Sequence, residues 1–333
     1  VIIWAIIGCS VLILMASLKV RKEVQFASMV LVFGLLFSAV LTPMSVPDEQ
    51  FHYECAYQIT SDIFGEDHTI MDVAYRNYSH FLGHENSPGA YQRLLEHFND
   101  PLEMKEKYET IVTDIDELSY LVYFFPQTVG VLIGRALKMN FLRTFYLGRF
   151  TNLLFYVFCI YFAIKKTPVH KTLFGLLSCM PMFLQQCCSY SYDGFVNGLC
   201  FILFAYFLKW KHDEEQIGRR EIFAVMLVTL LIAPAKFIYG LFIVPFYFIP
   251  KERFGGKKNK IIAMLVITAP VLYMFVYMLL PQIERLISQI RKTYSDTSSN
   301  EITIKKAGFD LNLKPSWIED NFDEDKYKGI PTY

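Results

Sequence analysis

Long apolar runs recur along the whole chain, and they constrain its fold more than any other feature. They cover residues 1–18, 26–42, 120–137, 145–164, 173–188, 195–208, 222–234, 237–249 and 261–280. Several approach the ~20 residues that an α-helix needs to cross the hydrocarbon layer of a bilayer. Hydrophobic residues make up 53% of the chain, whereas soluble domains contain roughly 45–50%. The sequence therefore predicts an all-α fold, a polytopic bundle of transmembrane helices.

Charge, cysteine content and motifs argue against several function classes. The chain has 32 basic and 32 acidic residues, and this balance predicts no attraction to nucleic acid. Six of its seven cysteines lie inside apolar runs and only Cys55 lies in a polar segment, which predicts no disulfide framework and no metal site. The sequence lacks the P-loop, His-Glu-x-x-His and Gly-x-Ser-x-Gly motifs of nucleotide-driven transport, zinc proteolysis and serine hydrolysis. We expect no cofactor, although a divalent metal stays open.

Short cationic connections predict how the helices are oriented. They cover residues 19–22, 165–166, 209–220 and 251–260. If all of them face the cytoplasm, residues 43–119 form a large extracytoplasmic loop, in which we expect short surface helices. Residues 189–194 then lie on the same outer side. The run 120–137 cannot cross the membrane in this scheme, so we expect a partly inserted helix on the outer side.

The apolar pattern also predicts the domain organisation. Residues 1–280 form the transmembrane domain, and residues 281–333 form a polar extracytoplasmic segment. Because the chain begins inside an apolar run, we expect it to be part of a longer protein in which further helices follow.

Asp48 and Glu49 follow the second apolar run directly and place two carboxylates at the outer membrane edge. Pro47 precedes them, so the segment also suits a helix start in which both acids meet the helix dipole. In a functional interpretation, one carboxylate is a general base and the other positions a substrate. His52 shares a helix face with Asp48 at a spacing of four residues, which makes it a candidate substrate-binding residue.

Three further ionisable residues are expected on the same side. Asp193 either caps the next helix or faces the compartment of the first acidic pair. Lys236 lies between two short apolar runs, where it either snorkels to the headgroups or binds a lipid-linked phosphate. Arg149 pairs with Glu49, with a substrate phosphate or with lipid headgroups.

Several short motifs, in their order and spacing, resemble the DUF2142 family of bacterial membrane proteins over about residues 26–280. They are Pro47-Asp48-Glu49 followed by His52, Tyr123-Phe124-Phe125-Pro126-Gln127, Leu147-Gly148-Arg149-Phe150-Thr151-Asn152, Met180-Pro181-Met182, Ser191-Tyr192-Asp193-Gly194 and Ala235-Lys236-Phe237-Ile238-Tyr239. That family resembles the GT-C glycosyltransferases, multi-helix enzymes that take a sugar from a polyprenyl phosphate outside the cytoplasm. The Asp48-Glu49 pair is similar to the first-loop motif of protein O-mannosyltransferases. Ser191-Tyr192-Asp193 is similar to the second acidic loop of oligosaccharyltransferase catalytic subunits, although the next acidic residue of that motif is missing.

The resemblance implies an integral membrane glycosyltransferase that moves a sugar from a polyprenyl-phosphate donor to a cell-envelope glycan, polymer or lipid acceptor. It implies Asp48 or Glu49 as the catalytic base, in the bacterial cytoplasmic membrane with the site facing outside. The candidate substrate-binding residues are His52, Arg149, Asp193 and Lys236, with no metal ligand among them. Two other classes stay open, a transporter or flippase of lipid-linked glycans and a non-catalytic partner in envelope polymer assembly.

Overall fold

A computed structural model describes residues 6, 8, 10, 13–15, 17, 19–66, 70–72, 88–97, 107–109, 121–235 and 237–297. Lys236, the predicted phosphate-binding residue, therefore lies outside the described residues. The chain divides into two compact units, Val1–Tyr277 and Met278–Tyr333. The site described below lies wholly within the first unit.

Helices account for nearly all of the described structure. In chain order they are α1 (Lys22–Val40), α2 (Glu49–Phe64), α3 (Pro88–His97), α4 (Phe125–Ala136), α5 (Phe141–Lys166), α6 (Lys171–Ser178), α7 (Pro181–Cys187), α8 (Asp193–His212), α9 (Arg219–Ile232) and α10 (Lys257–Thr297). Two 3₁₀ helices, Phe237–Phe248 and Lys251–Phe254, precede α10. The short strands β1 (Ile70–Asp72) and β2 (Lys107–Glu109) pair antiparallel in the loop after α2. The predicted all-α bundle is confirmed.

Four helices in the described part of the chain are long and apolar enough to cross a membrane. They are α1, α5, α8 and the segment Lys257–Tyr277 of α10. Their outer surfaces carry large apolar side chains: Phe158 is 61% exposed and Leu265 is 63% exposed. Apolar surface on this scale marks contact with a membrane or a partner, and its distribution along the four helices fits lipid.

The central helix of the bundle is α5, against which α1, α4 and α8 pack. At the crossing with α1, a Cβ atom at Gly34 would overlap the side chain of Leu153. A small residue at such a crossing lets two helix backbones approach closely, as in membrane helix packing. Buried residues such as Tyr156 and Ile160 continue this contact surface along α5.

Two predicted apolar runs have a different form in the structure. The run 173–188 is split into α6 and α7, because Pro181 lacks the amide hydrogen that a continuous helix needs and occupies the first turn of α7 instead. The run 120–137 contains α4, whose 12 residues extend ~18 Å at 1.5 Å per residue. This helix packs against α2 and α5, and its insertion into the membrane stays a prediction.

The cationic connections gather at one end of the bundle, where α5 and α8 finish and α9 begins. Glu221 of α9 accepts a hydrogen bond from Lys209 of α8, and its Oε1 lies 3.4 Å from Nζ of Lys166 of α5. Its Oε2 accepts a hydrogen bond from Nε1 of Trp210 at 3.0 Å. Burial alone would raise the pKa of Glu221, but the hydrogen bond and charge of Lys209, with the charge of Lys166, lower it below its ordinary value.

Candidate functional site

The opposite end of the bundle contains a buried ion pair between Arg149 and Glu49. Arg149 lies in the first half of α5 and is fully buried, and Glu49 is the first residue of α2. Nε and Nη2 of Arg149 donate to Oε1 and Oε2 of Glu49 at 2.8 and 2.6 Å. This two-bond geometry is the strongest form of a guanidinium–carboxylate pair. It counters the large cost of removing both charges from water.

Arg149 also binds the end of α1. Its Nη1 donates to the carbonyl oxygen of Leu41 at 2.6 Å, and its Nη2 donates to that of Thr42 at 2.9 Å. Carbonyl groups at a helix C-terminus lack partners within the helix and carry partial negative charge, so a cation stabilises them. One side chain therefore fixes the end of α1 and the start of α2 together on α5.

The loop between α7 and α8 is attached to the same ion pair. The backbone N–H of Tyr190 donates to Oε1 of Glu49 at 3.2 Å, and its hydroxyl donates to the carbonyl oxygen of Phe145 at 3.1 Å. Burial raises the pKa of the Tyr190 hydroxyl well above its ordinary value, so this group stays protonated. A Cβ atom at Gly148 would overlap that hydroxyl, so glycine is required for this close approach.

Two buried amides satisfy the carbonyl groups of this loop. Nδ2 of Asn152 donates to the carbonyl oxygens of Ser189 and Ser191 at 2.9 and 3.3 Å. Nε2 of Gln127 on α4 donates to the carbonyl oxygens of Tyr190 and Ser191 at 3.3 and 3.2 Å. Non-helical backbone next to a bilayer needs such internal partners. The amides therefore hold the loop against α4 and α5.

Asp48 differs from its neighbour Glu49 because its side chain is exposed. Its backbone has φ 58° and ψ 8°, in the left-handed region that costs energy for residues other than glycine, although aspartate tolerates it better than most. Among the described residues, its side chain makes no capping hydrogen bond to the start of α2. Its carbonyl oxygen accepts the N–H of His52 at 3.0 Å. An exposed carboxylate is thus held in a strained backbone conformation beside a rigid buried pair.

An aromatic cluster contains His52 and the residue before Asp193 in the chain, Tyr192. The His52 ring centroid is 5.5 Å from that of Tyr192 and 5.2 Å from that of Phe124. Tyr192 precedes Asp193, the first residue of α8, whose Oδ2 accepts a hydrogen bond from Nε2 of Gln186 at 3.3 Å. The aromatic contact brings the two predicted acidic segments together.

The family model for predicted membrane proteins named DUF2142 matches residues 31–319 of the chain. The chain belongs to the DUF2142 family. No curated protein and no solved structure matches it. The DUF2142 match includes every site residue described above, and Lys236 as well. Membership of DUF2142 and the four apolar helices fit a membrane location.

The structure of this DUF2142 protein brings five of the six predicted site residues to one end of the bundle, and the sixth, Lys236, lies outside the described residues. Arg149 pairs with Glu49, one of the three partners expected for it. Sequence reasoning missed Gln127, Asn152 and Tyr190. The first two lie inside motifs that carry the DUF2142 resemblance, and that was the only signal for them. Among the described residues, no three His, Cys, Asp or Glu side chains converge as they would around a metal ion.

Proposed function

We propose that this DUF2142 protein is an integral membrane glycosyltransferase that transfers a sugar from a polyprenyl-phosphate donor to an acceptor hydroxyl of the cell envelope. The observation that carries the proposal is the hydrogen bond from the Tyr190 N–H to Glu49 at 3.2 Å. It joins the loop that leads into α8 at Asp193 to the segment that contains Asp48. Two acidic segments that are separate in the sequence thus border one site at the end of a helix bundle. The proposed sugar transfer requires such a site.

Asp48 is the general base in this proposal. Its carboxylate takes the proton of the acceptor hydroxyl, and the resulting oxygen attacks the anomeric carbon of the donor sugar. The bond from that carbon to the phosphate oxygen breaks, and the polyprenyl phosphate leaves with the bonding electron pair. A single displacement of this kind inverts the configuration at the anomeric carbon. Asp193 orients the acceptor from the other side of the site.

Glu49 and Arg149 have a positioning role in the proposal. Both oxygens of Glu49 already accept hydrogen bonds, which favours Asp48 as the base. The donors of Arg149 are directed to Glu49 and to two backbone carbonyl groups, so this side chain does not bind the leaving phosphate in the proposal. In the proposal, the positive charge of Lys236 stabilises the charge of the departing phosphate.

The proposed site faces the outside of the bacterial cytoplasmic membrane. Arg149 and Lys166 are 17 residues apart on α5, which corresponds to ~26 Å along a helix. The hydrocarbon layer is ~30 Å thick, so the ion pair and the cationic connections are at its two boundaries. Because cationic connections favour the cytoplasm, Asp48 is on the outer side.

A deletion strain complemented with variants tests the proposal, with the envelope glycans measured by mass spectrometry. Asp48→Asn keeps the side-chain shape but removes the base, so we expect the glycan profile of the deletion with a normal amount of protein in the membrane. The control is Asp62→Asn, the same chemical change at an exposed position of α2, which should restore the wild-type profile. A wild-type profile with Asp48→Asn would exclude Asp48 as base. Accumulation of the sugar donor in the cytoplasmic leaflet of the deletion strain would indicate a flippase.

A further inference from the structure

The cationic end of the bundle is a single strongly charged surface. We define the cationic face as residues 19–23, 165–171, 209–221 and 251–260, which carry fifteen Lys and Arg residues and six Asp and Glu residues. The whole chain has equal numbers of the two kinds. The excess of positive charge at this face is therefore a local feature and does not reflect composition.

Contacts between these four segments show that they form one surface. Nζ of Lys22 donates to Oγ1 of Thr172 at 2.8 Å, which connects the starts of α1 and α6. The N–H of Ile217 donates to the carbonyl oxygen of Arg253 at 2.8 Å, which connects the segment before α9 with the second 3₁₀ helix. Nζ of Lys166 lies 3.4 Å from Oε1 of Glu221, which connects the end of α5 with the start of α9.

The helix directions add to the positive charge of the face. Four helices begin here, and their first residues are Lys22, Lys171, Arg219 and Lys257. A helix N-terminus carries a partial positive charge, so a cation at this position is unfavourable and an anion is favourable. Among the described residues, the N-cap residues of α1, α6 and α9 make no side-chain capping hydrogen bond. Charge and backbone dipoles thus reinforce one another.

The acidic residues in the first turns of α1 and α9 already have cationic partners. Glu23 of α1 lies 3.6 Å from Nε of Arg21, and Glu221 of α9 is paired with Lys166 and Lys209. Cations such as Arg219, Arg220, Lys257 and Lys258 are exposed on the same face. The face therefore presents unneutralised positive charge to its surroundings.

The depth of these cations identifies the anion that they meet. Exposed apolar residues follow within a few positions: Leu173 after Lys171, Phe223 after Arg220 and Ile261 after Lys258 are each at least half exposed. The cations therefore lie where the apolar surface ends, which is the depth of the lipid headgroups. We propose that the cationic face is a binding surface for the phosphate groups of anionic phospholipids. This proposal does not depend on the glycosyltransferase activity.

Lipid titration of the purified full chain in neutral detergent micelles tests the proposal. A ligand that binds only the folded state raises the unfolding temperature. We expect phosphatidylglycerol to raise the unfolding temperature and phosphatidylcholine to raise it by a smaller amount. In 1 M salt the Debye length falls to ~3 Å, so the advantage of the anionic lipid should largely disappear.

Matched charge variants locate the effect. Juxtamembrane cations contribute about fivefold each in affinity for an anionic lipid surface. We therefore expect the double variants Arg219→Gln/Arg220→Gln and Lys257→Gln/Lys258→Gln each to weaken apparent phosphatidylglycerol binding by about tenfold or more. The control Lys138→Gln/Arg143→Gln removes two exposed cations from the opposite end of the bundle and should leave binding unchanged.

Three results would overturn the proposal. Equal stabilisation by phosphatidylcholine would show that the charge of the lipid is irrelevant. Equal stabilisation by inorganic phosphate alone would show that the face binds a soluble anion. An equal loss of binding in the control variant would show that total charge, and not the cationic face, controls the interaction.

Discussion

The carboxylate of Glu49 receives two hydrogen bonds from Arg149, at 2.8 and 2.6 Å, although 100 residues separate the two in the chain. Neither side chain is exposed. Burying two charges is expensive even when they are paired, so such a pair contributes little net stability. Its value here is geometric, because it holds together the end of α1, the start of α2, the loop before α8 and the helix α5. We infer that this arrangement sets the position of Asp48.

Removal of one member of the pair should be more harmful than removal of both. Arg149→Met leaves the Glu49 carboxylate buried without its partner, and we expect a loss of about 3–5 kcal/mol in the free energy of unfolding. Glu49→Met should cost a similar amount, whereas the double variant should cost less than either single variant. Reversible unfolding in detergent micelles measures this double-mutant cycle. Additive losses would show that the two side chains act independently.

Substitutions at Asp48 should separate activity from stability. The left-handed backbone at φ 58° favours glycine, is tolerated by asparagine and is unfavourable for alanine. We expect the free energy of unfolding of Asp48→Ala to be about 1 kcal/mol lower than that of Asp48→Gly, with Asp48→Asn between them. All three should lack transfer activity, since each removes the base. If transfer activity instead rose and fell with the free energy of unfolding across the three variants, a catalytic role for Asp48 would be contradicted.

Gly148→Ala tests the contact between α5 and the loop before α8. The added methyl group would overlap the Tyr190 hydroxyl, and overpacking of this kind costs about 1–3 kcal/mol. The loss should be smaller in the Tyr190→Phe background, where the hydroxyl is absent. Gly218→Ala is the control, because a Cβ atom there meets no described atom within 4 Å; as the residue before α9 it should cost no more than about 1 kcal/mol, the loss expected for alanine at a helix start. Equal losses at the two glycines would exclude the contact as the cause.

The sequence was sufficient for the bundle but only partly for the site. Helix positions follow from apolar length, which the sequence displays directly, but the break at Pro181 was not predicted, although the missing amide hydrogen explains it. The choice among three partners for Arg149 depends on where the end of α1 lies in space, which no local pattern specifies. The 3₁₀ form of Phe237–Phe248 was not predicted either, because its apolar composition suits an α-helix equally well.

Gln127 and Asn152 show a different limit of sequence reasoning. Each is an uncharged amide within an apolar helix, and such residues carry no charge pattern or motif that indicates chemistry. Their role is visible only when the loop carbonyl groups that they bind are in place. The sequence does indicate Asp48 and Asp193 as candidates, because a carboxylate beside a membrane helix is costly and therefore conspicuous.

Glu221 should make stability depend on pH at the cationic end. Its pKa in the folded protein is below the ordinary value of 4.5, so it stabilises the fold at pH values above that number. This contribution is lost as the pH falls through the lower, folded-state pKa. We expect the unfolding temperature of the wild type to fall in this acidic range and that of Glu221→Gln to fall less. Parallel curves for the two proteins would show that the carboxylate does not contribute.

The predicted orientation of the bundle can be tested with one cysteine at each end. Gln50 and Lys211 are both exposed, the first beside the ion pair and the second on the cationic face. Because the cationic connections favour the cytoplasm, an impermeant maleimide should label Gln50→Cys in intact cells and Lys211→Cys only after permeabilisation.

The parent protein is the control for its native cysteines, and Cys55, Cys159, Cys187 and Cys188 are all buried. His68 and Asn86 belong to the predicted extracytoplasmic loop 43–119 and lie outside the described residues; cysteines there should also be labelled from outside. The reverse pattern would place Asp48 in the cytoplasm, where a polyprenyl-phosphate donor on the outer leaflet cannot reach it. That result would exclude the proposed reaction while leaving the ion pair and the fold unchanged.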